Sequence, residues 1–147
     1  MAYHFSETSK KRIALLHPDL QYILHEAIKI TDFSVITGLR NEVDQEKACN
    51  HKPPRSNARY PHSRHNRSKQ NDGIYDYTMS DAFDIAPYPI KWPDVQKQTT
   101  KEYIKRMGAF YLLAGIIISI AHAKDIKIRW GGHFKSIFDA PHFERIV

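Results

Sequence analysis

Asp139-Ala140-Pro141-His142-Phe143-Glu144, preceded by Ile126-Lys127-Ile128-Arg129-Trp130-Gly131-Gly132, is the stretch from which the reading starts. Ile126 to Trp130 alternates apolar and basic residues, the period of a strand with one buried face. Gly131-Gly132 is a turn signal, and His142 to Val147 has the length of a closing strand. Asp139 lies three residues before His142. That spacing can set a proton-carrying carboxylate beside a metal-ligating imidazole. Two upstream residues extend the set: His65 in Ser63-Arg64-His65, and Asp84 in Ser80-Asp81-Ala82-Phe83-Asp84-Ile85-Ala86-Pro87-Tyr88. Two histidines and a carboxylate form a three-ligand zinc set with a position left for water, which points to metal-dependent hydrolysis.

Working outward, Pro18 to Ile30 reads as a helix. Leu20, Ile23, Leu24, Ala27 and Ile28 fall on one apolar face. Phe33 to Thr37 reads as a short strand ended by Gly38, and Glu42 to Cys49 as a short helix capped by Asn41. Residues 50–80 look irregular, with Pro53, Pro54 and Pro61 among Asn, Ser, Lys and Arg. A loop of that length inside a compact domain is usually functional or mobile. Asp81 to Ala86 reads as a strand entering a loop with Pro87, Pro89 and Pro93. Thr99 or Thr100 caps a long helix ending near Lys124. Its stretch from Met107 to Ala123 carries no charge but includes Gly108, Gly115, Ser119 and His122. It falls short of a normal span, so we expect a buried central helix and no stable membrane insertion. Helices and antiparallel strands in this order predict an α+β fold, a small antiparallel sheet packed with helices, in a single domain over residues 1–147.

Composition sets the outer bounds. The 147 residues are 41% hydrophobic and 12% aromatic, which is a globular balance, not a disordered one. The single cysteine, Cys49, excludes an internal disulfide framework and agrees with a reducing compartment. A formal net charge of +6 and a pI near 9.4 favour an anionic partner: nucleic acid, a membrane surface or a wall polymer. The aromatics are not interleaved with Lys and Arg on a recognition element, which argues against nucleic acid. Residues 1–7 lack the basic segment and apolar run of a secretory signal, so the expected site of synthesis is the cytoplasm.

Five segments together resemble the VanY-type zinc peptidases of the hedgehog/DD-peptidase superfamily, in particular the small bacteriophage endolysins that cleave between L-alanine and D-glutamate. Thr37-Gly38-Leu39-Arg40-Asn41 resembles the family's Ser-Gly-Tyr-Arg. Ser63-Arg64-His65 resembles its Ser-x-His, and Asp81-Ala82-Phe83-Asp84 its Ala-x-Asp. Trp130-Gly131-Gly132 and Asp139 to Glu144 resemble its terminal blocks. The resemblance implies a hedgehog/DD-peptidase-like zinc site with His65, Asp84 and His142 as ligands. It implies Asp139 as catalytic acid/base and Arg40 as an arginine that binds substrate or stabilises the oxyanion. It further implies a monomeric zinc metallopeptidase acting on peptidoglycan peptide stems, reaching the wall after release from the cytoplasm. A D-alanyl-D-alanine carboxypeptidase and a non-catalytic zinc or wall-binding module are the alternatives.

The chain departs from the family pattern twice. The family's Ser-x-His-x-x-Gly-x-Ala-x-Asp run sets its ligands seven positions apart, whereas His65 and Asp84 are 19 apart, an insertion of about twelve residues. The insert, residues 66–79, is polar and holds Lys69, Asp72, Tyr75, Asp76 and Tyr77; it reads as a lid, a wall-contacting loop or an inert decoration. His62 is a weaker substitute for His65. His133 stands where the family often has an acid, and it is left out of the ligand set.

Overall fold

The computed structural model describes residues 2–147. Its centre is a four-stranded antiparallel sheet in the order β1-β4-β6-β5, from β1 (Phe33–Thr37), β4 (Ala82–Pro87), β5 (Ile128–Trp130) and β6 (His142–Arg145). Side chains alternate across a strand. One face therefore collects Val35, Phe83, Ile85, Trp130 and Phe143, all buried in the core. Phe83 stacks on Phe143 with ring centroids 5.3 Å apart. Three helices supply the opposite half of that core: α1 (Glu7–Ile13), α2 (Pro18–Ala27) and α4 (Thr100–Ala123). The α+β expectation and its antiparallel sheet hold.

Local rules account for most helix ends. Asn41 accepts a hydrogen bond from Asp44 N and caps α3 (Glu42–Asn50); Thr99 does the same for α4 through Glu102 N. Helix α1 lies outside the sequence expectation. Only Ser9 and Ile13 of its seven residues are buried, so no apolar period announces it. Its signals are a Ser6 cap, Glu7 in the first turn and Lys10, Lys11 and Arg12 in the last.

Three further expectations are corrected. Helix α2 ends at Ala27, not Ile30; residues 28–31 continue as turns, with Ile30 N and Thr31 N both bonded to Ala27 O. The strand expected from Ile126 begins at Ile128. Asp125 takes a left-handed φ of 55° and Ile126 N donates back to Ala121 O at 2.9 Å, so these residues close α4 and are not free to pair with β6. Helix α4 is also not a buried central helix. Phe110, Leu113, Ala114, Ile117 and Ala121 form its buried face, while Ile104, Tyr111 and Leu112 are exposed. It is long and apolar enough to cross a membrane by length and composition, yet it packs on α2 and the sheet along one side.

Residues 50–80 are less irregular than expected. They contain a small hairpin, β2 (Ser68–Lys69) with β3 (Tyr75–Asp76), whose base is locked to the sheet. Asp81 and Arg145, both buried, pair at 2.9 Å. Asp81 also accepts from Ser68 Oγ at 2.7 Å and Lys69 N at 2.9 Å.

Candidate metal centre

The strands that build the core also build the site on their other face. Asp84 on β4 and His142 on β6 are register partners, and Glu144 follows His142 at the two-residue spacing that returns to the same face. His65 arrives from the loop before β2. Its segment is zipped to the chain after β1: Arg40 N donates to His65 O at 2.8 Å, and Asn66 Nδ2 donates to Arg40 O at 2.9 Å.

The ring orientations are set from behind. His65 Nδ1 lies 2.8 Å from Gly38 O, an acceptor only, so that nitrogen carries a proton and Nε2 presents a lone pair. His142 Nε2 lies 3.1 Å from Glu144 Oε2, which leaves Nδ1 facing the centre. His65 Nε2 and His142 Nδ1 are 3.2 Å apart; Asp84 Oδ1 is 3.0 Å from His142 Nδ1 and 3.5 Å from His65 Nε2. Three acceptors therefore converge on one point, where only a cation or added protons can reconcile them. Atoms bound to one zinc at tetrahedral angles and ordinary bond lengths stand about 3.3 Å apart. The residues fit the metal, and the cluster His65, Asp84 and His142 could hold an ion. His62 is exposed and lies outside it.

Electrostatics agree with that geometry. Burial opposes the charge on Asp84, but the facing His65 and His142 outweigh it and hold the carboxyl far below its usual range. Burial likewise opposes a charged His142, yet the hydrogen bonds it donates to Asp84 and Glu144 raise its pKa to about 9 in the metal-free protein. Glu144 is desolvated too, but His142 and Arg129 bring it down to about 2. Arg64 Nε stands 3.2 Å from Glu144, and Arg129 Nε 2.9 Å from it. Glu144 was not singled out for a role by sequence, although its two-residue spacing from His142 on a strand is the signal that finds it.

Asp139 sits at the rim, and its pKa is raised by burial first and then by the nearby Asp84 charge. Its position is fixed by the Trp-Gly-Gly turn, which forms a short 3-10 helix, Gly131–His133. Asp139 N donates to Gly131 O at 3.0 Å, and Trp130 Nε1 to Ala140 O at 2.7 Å. A Cβ on Gly131 would fall 2.2 Å from Asp139 O, so only glycine permits this approach. Arg40 donates to Gln45 Oε1 at 3.0 Å and faces Asp84 at 3.7 Å. His133 packs edge-on against Trp130, away from the ligand cluster.

The family model for the phage L-alanyl-D-glutamate peptidases matches residues 1–146. The chain belongs to the phage L-alanyl-D-glutamate peptidase family. It is thus a hydrolase that acts on the peptide of peptidoglycan, and the carboxypeptidase and non-catalytic alternatives give way to that assignment. Among solved structures, the L-Ala D-Glu endopeptidase ChiX of Serratia marcescens superposes with a TM-score of 0.64 at 21% identity, covering 97% of this chain and 90% of that one. That likeness shows a shared fold. A search of curated proteins returns no match. In this L-alanyl-D-glutamate peptidase the stretched spacing between His65 and Asp84 does not separate the two side chains. Asp81 N donates to Arg64 O at 3.0 Å, and Ser80 Oγ to the same oxygen at 3.2 Å, so the ends of the insert close beside His65.

Proposed function

We propose that the protein is a zinc-dependent endolysin in which His65, Asp84 and His142 hold one zinc ion, Asp139 carries the proton and Arg40 stabilises the reacting carbonyl. The observation that carries this reading is the convergence of three potential donor atoms within 3.5 Å of one another, with both imidazoles fixed from behind. Zinc at that point would supply Lewis-acid polarisation of the scissile carbonyl and a more acidic water.

The chain's own groups do the remaining work. Asp139, with its carboxyl pushed above the ordinary value, is suited to accept a proton from the attacking water and return it to the leaving amine. Arg40 is held by Gln45 with its guanidinium toward Asp84, which aims positive charge at the carbonyl oxygen as it becomes an oxyanion. Glu144 orients His142 and favours its Nδ1 as the donor to the metal.

Metal analysis of the purified protein tests the reading. About one zinc per chain is expected, as for a mononuclear catalytic site. His65→Ala, Asp84→Ala and His142→Ala should each lower that content, and His62→Ala should not. Full zinc in His65→Ala with loss in His62→Ala would reverse the ligand assignment. A mass-spectrometric digest of wall peptides should show a new amine-terminal D-glutamate, and release of terminal D-alanine alone would contradict the bond assignment.

A further inference from the structure

The arginines around this centre differ in whether they already face an anion. Arg40 faces Asp84, and Arg64 and Arg129 both face Glu144. Arg55 lines the same cavity, and its guanidinium has neither a carboxylate nor a hydrogen-bond acceptor among the described residues. Its backbone is nonetheless held on both sides. Arg55 N donates to Ala48 O on α3 at 2.8 Å. The buried Gln45 reaches across to the next turn, donating to Ser56 Oγ at 2.7 Å and Ala58 O at 2.6 Å. An exposed cation on a tethered backbone is placed for a ligand at little further cost in chain entropy.

Arg55 also stands where two compartments meet. A cavity of about 300 Å³ covers His65, His142 and Glu144, and a groove of about 750 Å³ runs past Lys47, Trp92 and Phe138. Both are lined by Arg40, Arg55, Asp84, Ile137 and Asp139. A peptide whose scissile bond lies at Asp84 and Asp139 occupies compartments that Arg55 also lines.

The substrate supplies an anion of the right kind. Glutamate has two carboxyl groups. A peptide that continues past it uses one, so the residue on the amine side of an L-alanyl-D-glutamate bond keeps the other as a free carboxylate. Arg40 is already engaged by Asp84 and Gln45. We infer that Arg55 binds the free carboxylate of the D-glutamate residue and sets the enzyme's preference for an anionic residue on the leaving-amine side. The inference rests on the reaction site proposed above. A guanidinium fork matches a carboxylate in a bidentate pair, and a site built for such a pair discriminates against an analogue lacking the charge.

Two stem peptides test this on the zinc-loaded enzyme, one with that carboxyl free and one with it as the carboxamide. The wild type should favour the carboxylate peptide about tenfold or more in kcat/KM, expressed mainly in KM. Arg55→Ala should bring the ratio near one, Arg55→Lys should keep part of it, and Arg55→Glu should invert it toward the carboxamide. A wild type without preference, or an Arg55→Ala protein that keeps the full ratio, overturns the inference. The proposed mechanism is judged separately: if chelated, zinc-free protein cleaves either peptide at the wild-type rate, the zinc assignment fails, while the carboxylate-to-carboxamide ratio still decides the role of Arg55.

Discussion

Asp84 on β4 and His142 on β6 stand opposite each other across an antiparallel pair, with Asp84 Oδ1 3.0 Å from His142 Nδ1. Opposed side chains on neighbouring strands are held about 5 Å apart at Cβ by the ladder itself. The two donors are therefore set by backbone hydrogen bonds, before any metal arrives. The same pairing sets Arg129 against Glu144 across β5 and β6, so the carboxylate behind His142 is itself positioned by the sheet. The stacked Phe83 and Phe143 on the reverse face hold this part of the ladder in the core.

Removing the charge behind His142 should weaken the metal site without removing a ligand. Glu144→Gln is expected to lower zinc affinity about tenfold or more, within the range for groups that orient a ligating histidine. Competition titration with a chromogenic chelator measures it, and unchanged affinity would dismiss the orienting role of Glu144.

Asp139→Asn should keep zinc and fold yet lose activity by about 10²-fold or more, since it removes a proton carrier and not a ligand. Metal content and turnover measured on the same preparation separate the two effects. Near wild-type turnover at full zinc occupancy would eliminate Asp139 as the acid/base.

Zinc affinity should rise with pH. In the metal-free protein His142 has its pKa raised from 6.5 to about 9, so below that value a proton occupies the nitrogen the metal needs. Affinity should climb about tenfold per pH unit and level off above about pH 9. The metal-free protein follows the opposite sign. A raised pKa contributes stability that is fully present below about 6.5 and is lost as pH rises through about 9. The increase in Tm on adding zinc should therefore grow between these pH values, and a Tm increase that shrinks with pH would contradict it.

Asp81→Ala should destabilise the protein by about 3–5 kcal/mol, because it leaves Arg145 buried without its partner. The same change releases Ser68 and Lys69 at the base of the hairpin. Shortening only the tip, residues 71–74, should cost far less, as loop closure depends weakly on length. Urea unfolding of both variants checks the contrast, and equal losses would show that the tip carries structure of its own.

Much of the architecture was legible because its causes are local. Alternation marked β5, short runs bounded by Gly and Pro turn signals marked β1, β4 and β6, and the Asn41 and Thr99 caps marked helix starts. The Trp-Gly-Gly and Asp-Ala-Pro-His-Phe-Glu runs identified a donor set by residue type. Where sequence reading missed, a distant contact or an unannounced cap had decided the outcome. Helix α4 was expected to be buried on composition, but only one side of it meets α2 and the sheet. Ile126 belonged to the α4 cap and not to β5 because Asp125 turned left-handed.

By itself, then, the sequence determined the fold class, the family and the kinds of donor available. Those depend on side-chain chemistry and on patterns repeating every two to four residues. Tertiary structure alone decided that His65 and not His62 joins His142 in the cluster, which ring nitrogen points inward, that Glu144 stands behind His142, and that Arg55 is left without an anion. The reason is separation along the chain: Gly38 and His65 are 27 residues apart, Asp84 and His142 58, and His65 and His142 77, so only packing of the sheet against its loops brings them within bonding distance.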